Sequence, residues 1–229
     1  MGLAWGFGYF FTLDLFEKYK IPSKGFSFLY LGIFLSSWIG AKLFFLAFSS
    51  GPKIYQYIYA NYFWLGGGFV FYGGLIFGLA FYFIYTLILK KFPIDHSKYL
   101  IPGLVFGHAI GRVGCFLAGC CYGATSSSHF AFLVDGVSRY PVQMYEAIFL
   151  TFIGIVIIKM LKKQSSNDKV VTTYLLSYSI FRFLNEFLRG DEIRGILWLD
   201  LSSSQWVSIL VIFLVISYRV FNKLKKNAQ

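Results

Sequence analysis

Charge is what this chain has least of. Asp, Glu, Lys and Arg make up 14% of its 229 residues, against roughly 25% in a soluble domain, and only 10 residues are acidic. That scarcity excludes a cytosolic globular enzyme and a solvated disordered tail. Cysteine is equally sparse: Cys115, Cys120 and Cys121 are the three in the chain and lie within seven residues of one another. No disulfide framework can span a fold from there, which excludes a secreted disulfide scaffold. Linkers, internal repeats and low-complexity tracts are absent too, and Gln164 to Lys169 is only a short polar loop.

What the chain has instead is apolar surface, with 57% hydrophobic and 22% aromatic residues. A hydrocarbon core of about 30 Å needs about 20 mostly apolar residues in helical form. Seven stretches meet or approach that length, near residues 2–16, 26–49, 63–89, 99–119, 143–161, 170–188 and 205–221. In the first, the apolar run precedes the first basic residue, Lys18, and no small-residue cleavage site follows. It is therefore expected to be a retained span rather than a signal peptide.

The net charge of +11 would suggest a nucleic-acid partner in a soluble protein, but its placement argues for a membrane instead. Lys18, Lys20, Lys24, Lys90, Lys91, Lys98, Lys159, Lys162, Lys163, Lys169, Arg219, Lys223, Lys225 and Lys226 follow spans one, three, five and seven. Only Lys53, Arg139, Arg189 and Arg194 follow spans two, four and six, beside the acids Asp135, Asp191 and Glu192. The positive-inside rule then predicts an all-α integral membrane protein of seven transmembrane helices, N-terminus outside and C-terminus cytoplasmic. Residues 1–229 read as one membrane domain, with 120–142 as a small external head region.

Lys42, Arg112 and Arg182 remain, each inside an expected span. An Arg near a helix centre costs on the order of 2.5 to 3.5 kcal/mol on insertion scales, so such a residue faces a cavity, an acid or a substrate. His108, Arg112 and Cys115 fall at i, i+4 and i+7 on one helix face, with Gly107, Gly111 and Gly114 as a neighbouring stripe. Glycines admit another helix or a lipid head group, and an Arg fork matches a phosphate; a packing seam with an Arg–acid pair explains the same letters. Tyr178, Arg182, Glu186 and Arg189 share a second face. Arg182 and Glu186 could neutralise each other there, but the second Arg leaves positive charge over, which suits an anion.

Gln143 and Glu146 stand one turn apart at the start of the fifth span, where Glu146 either pairs with an Arg or compensates the helix dipole. Tyr72, Gly73 and Gly74 lie among further glycines, Gly66, Gly67, Gly68 and Gly78, and read first as close packing and second as a binding surface. His108 with the three cysteines could supply four metal ligands, but the spacing is not that of a zinc ribbon or finger, and no metal is expected.

These segments resemble the bacterial prolipoprotein diacylglyceryl transferase family. Gly111-Arg112-Val113-Gly114-Cys115-Phe116 through Gly123 is similar to its G-R-x-G-N-F-x-N-x-E-x-x-G signature, with Cys115, Ala118 and Cys120 at the Asn, Asn and Glu positions. Tyr140 to Glu146 resembles H-P-S-Q-L-Y-E, and Tyr178 to Arg189 resembles Y-x-x-F-R-F-x-x-E-F-x-R. Ser204-Gln205-Trp206 is similar to G-Q-W, Gly40-Ala41-Lys42-Leu43 to G-A-R-L, and Phe71 to Leu75 to F-H-G-G-L with Tyr72 for the histidine. Leu117-Ala118-Gly119-Cys120 has the letters of a lipobox, by chance, since it ends the fourth span.

The resemblance implies a multi-pass enzyme of the bacterial cytoplasmic (inner) membrane. It would move a diacylglyceryl group from phosphatidylglycerol to the lipobox cysteine thiol in a prolipoprotein signal peptide, without metal or organic cofactor. Its partners would be membrane lipid and that peptide, and no nucleic acid. Arg112 and Arg182 would bind and stabilise the departing phosphate, with His108, or second Tyr72, handling the proton. Gly73, Gly74, Gly111, Gly114, Gln143, Glu146, Tyr178, Glu186 and Arg189 would bind or orient substrate. Two alternatives stay open: transfer to another acceptor, and a lipid or anion transporter, against which the lack of a repeat and of paired broken helices weighs.

Overall fold

A backbone inside hydrocarbon must satisfy its own N–H and C=O groups, and helix does so within one segment. The computed structural model, which describes residues 2–48, 70–134, 136–190 and 198–227, is accordingly helical. Among those residues seven α-helices occur, one in each expected apolar stretch: α1 Gly2–Lys18, α2 Phe26–Phe48, α3 Phe71–Phe83, α4 Ser97–Leu117, α5 Val142–Lys162, α6 Asn167–Asn185 and α7 Ser203–Asn227. The opening of the expected third span, Gly66 to Gly68, Lys53, Asp135, Asp191, Glu192 and Arg194 lie outside the described residues.

Four stretches, Phe26–Ala47, Ile94–Leu117, Val142–Lys162 and Ser203–Lys225, are long and apolar enough to cross a membrane, and Tyr72–Ile88 is a shorter apolar helix. Helix α1 has 17 residues. Helix α6 is long enough, but Asn167, Asp168, Lys169, Arg182 and several hydroxyls make it the more polar one.

The chain divides into two compact units, Met1–Tyr19 with Ser97–Gln229, and Lys20–His96. In the first, α4 packs on α1 and α5, α5 on α6, and α6 on α7. Glycine decides the α1–α4 contact. A Cβ on Gly103 would strike the Thr12 hydroxyl and the Gly8 carbonyl, and one on Gly107 would lie 2.8 Å from the Ala4 carbonyl. The two backbones can approach only because those side chains are missing. Below that contact Leu15, Val105, Leu150, Ile153, Ile157, Leu161 and Val170 form the buried apolar core.

Between α4 and α5 the chain leaves the helices for a two-stranded antiparallel ribbon, β1 Phe132–Val134 and β2 Val137–Arg139, with Phe132 opposite Arg139. It is stitched back by backbone bonds from Ala124 N to Leu188 O (2.8 Å) and from Gly190 N to Tyr122 O (3.2 Å). The ribbon lies within residues 120–142.

In the second unit α2 and α3 lie back to back, since a Cβ on Gly40 would meet the Gly73 carbonyl, and one on Gly73 the Gly40 carbonyl. Gly74 faces the Ser37 carbonyl and Gly78 the Ser37 side chain. Helix α3 loosens into a π turn over Ile84–Ile88, where the buried Tyr85 hydroxyl donates to Gly25 O (3.1 Å) and stacks on Phe28 and Phe81. Gly25, at φ +84°, also faces the Lys91 carbonyl, so a side chain there would be strained and crowded.

The polarity of the chain is inverted relative to a soluble protein. Leu3, Phe10, Ile88, Leu117, Ile148 and Phe152 are exposed, whereas Glu146 and Glu186 are each 1% exposed. Apolar groups outside and carboxylates inside are what a lipid environment favours.

Candidate active site

His108 and Arg112 of α4, Glu146 of α5, and Tyr178, Arg182 and Glu186 of α6 meet inside the first unit. Their hub is Glu146, one turn into α5 and 1% exposed. Arg112 Nη2 lies 2.7 Å and Arg182 Nη1 3.5 Å from Glu146 Oε2. The Tyr178 hydroxyl donates to Oε1 at 2.8 Å, and His108 Nε2 lies 3.5 Å from the same oxygen. A carboxylate offers about four lone-pair sites, two on each oxygen. Glu146 is thus engaged on both oxygens by groups from α4 and α6, so its role is to position those donors rather than to accept a substrate proton.

The i, i+4 and i+8 spacing explains how two helices deliver four of these groups. His108 and Arg112 project from successive turns of α4, and Tyr178 and Arg182 from successive turns of α6. The His108 ring stands edge-on to Tyr178, with centroids 5.5 Å apart, and Tyr178 stacks on Tyr174 at 5.9 Å. Stacking fixes the hydroxyl that points at Glu146.

Arg182 is bound on several sides. Its Nη2 sits 2.7 Å from Glu186 Oε2 and donates to Ser204 Oγ of α7 at 3.1 Å. Glu186 in turn lies 3.6 Å from Arg189 Nη1. Here the regular helix expected through Arg189 is corrected: α6 tightens to a 3₁₀ turn over Glu186–Leu188, and Arg189 has extended backbone. The fourth residue of the expected stripe thus reaches Glu186 as an i, i+3 neighbour of a 3₁₀ turn, and its backbone pairs with Gly123, six residues past the end of α4.

Among the described residues, Arg182 Nη1 and Arg112 Nε are both buried without a hydrogen-bond partner, and Arg112 is the one with glycines beside it in the chain. On either side of it, a Cβ on Gly111 or Gly114 would meet no described atom within 4 Å. The expected glycine stripe therefore splits, Gly103 and Gly107 serving helix packing while Gly111 and Gly114 border open space beside an unsatisfied guanidinium. Gln143 Nε2 donates to Cys120 O at 2.6 Å, and its Oε1 is another buried atom without a hydrogen-bond partner among the described residues. A buried donor or acceptor left unmade costs about 1 to 3 kcal/mol, which a ligand oxygen or hydroxyl would recover.

Tyr72, Gly73 and Gly74 belong to α3 of the second unit. Tyr72 is half-buried, and the two glycines face α2 as described, which accounts for their lack of side chains by packing. Lys42 is buried on α2 with its ammonium 5.9 Å from the Trp38 ring centroid.

Sequence reasoning did not single out Asn185 and Ser204. Asn185 Nδ2 donates to Val142 O at 3.3 Å, tying the end of α6 to the start of α5. Both lie in the quoted motifs, but only tertiary contact reveals their partners. The arrangement as a whole holds three guanidiniums against two carboxylates beside an imidazole, so it carries surplus positive charge and can hold an anion.

Comparison with known proteins identifies the family. The model of the prolipoprotein diacylglyceryl transferase family matches residues 1–221. A Clostridium perfringens protein named phosphatidylglycerol–prolipoprotein diacylglyceryl transferase 2 is 39% identical over 171 residues, 72% of this chain and 66% of that protein. Proteins named phosphatidylglycerol–prolipoprotein diacylglyceryl transferase from Clostridium tetani and Clostridioides difficile are each 34% identical, covering 69% and 71% of this chain. The matches span 65% and 64% of those two proteins, so the chain covers just under two thirds of the length of these relatives. With the family's pattern matched over residues 1–221, this membrane protein belongs to the prolipoprotein diacylglyceryl transferase family.

Proposed function

We propose that the chain transfers the diacylglyceryl group of phosphatidylglycerol to the lipobox cysteine thiol of a prolipoprotein, forming a thioether and releasing glycerol phosphate. The observation that carries this reading is the buried Arg112 Nε, unsatisfied and flanked by two open glycines, in a cluster with more guanidinium than carboxylate. A membrane anion whose charge grows during reaction is the ligand such a site favours.

In the reaction the thiol loses its proton and its sulfur attacks the glyceryl carbon that bears the phosphate ester. The C–S bond forms as the C–O bond breaks, and the bonding pair leaves on the phosphate oxygen. The phosphodiester, with one negative charge, becomes a monoester that takes a second. Arg112 meets that developing charge with donors held in place by Glu146, so no reorganisation is needed at the moment of transfer. Arg182, bound by Glu146, Glu186 and Ser204, adds positive potential and fixes the geometry of the hub.

His108 takes the thiol proton. With Nε2 turned to Glu146, its Nδ1 is the nitrogen left to act as acceptor. Tyr72 is the second candidate, with Gly73 and Gly74 beside it as substrate-binding residues; the motif supports these three roles. Gly111, Gly114 and Gln143 border the head group, while Tyr178, Glu186 and Arg189 orient the arginines.

The chain works in the bacterial cytoplasmic membrane as a single seven-span domain, N-terminus outside, with 120–142 as its external head. The alternation of basic loops supports that orientation. Phosphorus NMR tests the reaction. Purified protein given phosphatidylglycerol and a lipobox peptide should convert the phosphodiester resonance to a phosphomonoester only when both substrates are present. Conversion without peptide would point to hydrolysis, and none at all to another acceptor.

A further inference from the structure

The three cysteines form a cluster that the transfer reaction does not use. Their sulfurs all lie within 4.8 Å of one another, although Cys115 belongs to the last turn of α4 and the other two follow it. The chain is bent back to achieve this. Gly119 at φ +64° and Cys121 at φ +58° both take left-handed backbone on either side of Cys120, a conformation uncommon for any residue with a side chain. Cys120 N donates to Cys115 O at 3.1 Å, and Gln143 holds the Cys120 carbonyl from α5. His108, once a candidate fourth ligand, is turned to Glu146 instead.

We infer that Cys115, Cys120 and Cys121 form a three-thiolate site for a thiophilic closed-shell cation of the Zn(II), Cd(II) or Cu(I) class. The convergence of three sulfurs favours a metal over a disulfide, which would engage only two. A tetrahedral ion with metal–sulfur bonds of about 2.3 Å requires sulfurs about 3.8 Å apart, so the cluster needs a contraction of no more than about 1 Å, within reach of side-chain rotation. Cys120 is exposed and supplies the entry, while Cys115 and Cys121 are half-buried. Thiols bind such an ion as thiolates, so binding releases protons and acid competes with the metal. Three thiolates around a divalent ion carry one net negative charge, and Cys121 is within electrostatic reach of Arg112, so metal loading bears directly on the anion site.

Cd(II) is the probe, added to the full chain in detergent with a non-thiol reductant present. One Cd(II) per chain should bind with the ultraviolet charge-transfer band of thiolate ligands, its affinity rising with pH. Cys120→Ser and Cys121→Ser should each weaken binding about tenfold or more. In the unaltered protein, Cd(II) should also protect all three cysteines from alkylation. Absence of the thiolate band, binding unchanged in both variants, or alkylation at the same rate with and without Cd(II) would each overturn the site. None of these readouts depends on diacylglyceryl transfer.

Discussion

Removing the Glu146 carboxylate tests the hub most severely. In Glu146→Leu, Arg112, Arg182, His108 and the Tyr178 hydroxyl lose their shared acceptor together. Breaking a buried ion pair from one side costs about 3 to 5 kcal/mol, because the partner charges stay buried. For a chain of this size 1 kcal/mol moves the melting temperature by roughly 2 to 4 °C, so a fall of roughly 6 to 20 °C is expected. Glu146→Gln should be milder. Its amide oxygen can still face the two guanidiniums, with the amide nitrogen toward Tyr178 and His108, both of which can turn to accept. The variant keeps the geometry and loses the charge, so its melting temperature should lie between those of the wild type and the Leu variant. Turnover should still drop about 10²-fold, the scale of one misplaced electrostatic donor. Scanning fluorimetry in detergent and peptide turnover measure the two effects. A Leu variant melting within about 2 °C of wild type, as a harmless surface change would, would refute the hub.

Other consequences follow from the same geometry. Arg112→Lys should lose most of its activity, about 10²-fold, with little change in melting temperature, because an ammonium can reach Glu146 but has its donors on one nitrogen and lacks the planar fork that would span carboxylate and phosphate together; steady-state rates against phosphatidylglycerol check this. Gly107→Val should unfold or markedly destabilise the α1–α4 contact, whereas Gly111→Ala should leave melting unchanged or slightly raised, by up to about 1 kcal/mol, and slow turnover. If His108 is the base, kcat/KM should rise with pH and level off as the imidazole loses its proton, and His108→Gln should flatten that rise as well as lower the rate. An unchanged profile in that variant would remove His108 from the mechanism.

Much of this was legible in the sequence because helical spacing and the cost of intramembrane charge are local rules. The i, i+4 pair Arg182 and Glu186 could be read directly and lies at 2.7 Å. That Arg112 and Arg182 share one carboxylate could not, since Glu146 reaches them across three helices and its spacing equally fitted a dipole-compensating acid. Glycine was ambiguous for the same reason: Gly107 and Gly111 look alike along the chain, and only the neighbouring helix separates packing from open space. The 3₁₀ turn at Glu186 was hidden because the motif continues smoothly through it. The three cysteines showed no familiar metal spacing, and their convergence depends on two left-handed residues that no pattern announced.

The central claim is that Arg112 drives departure of the phosphate from a lipid whose diacylglyceryl group moves to sulfur. Mass spectrometry of a lipobox peptide incubated with purified protein and phosphatidylglycerol in detergent tests it most directly, with Arg112→Gln and Arg182→Gln alongside. The peptide should gain one diacylglyceryl group on its cysteine with the wild type and none detectable with either variant. Near-normal gain in both variants, or no gain from folded wild-type protein that binds phosphatidylglycerol, would contradict the account.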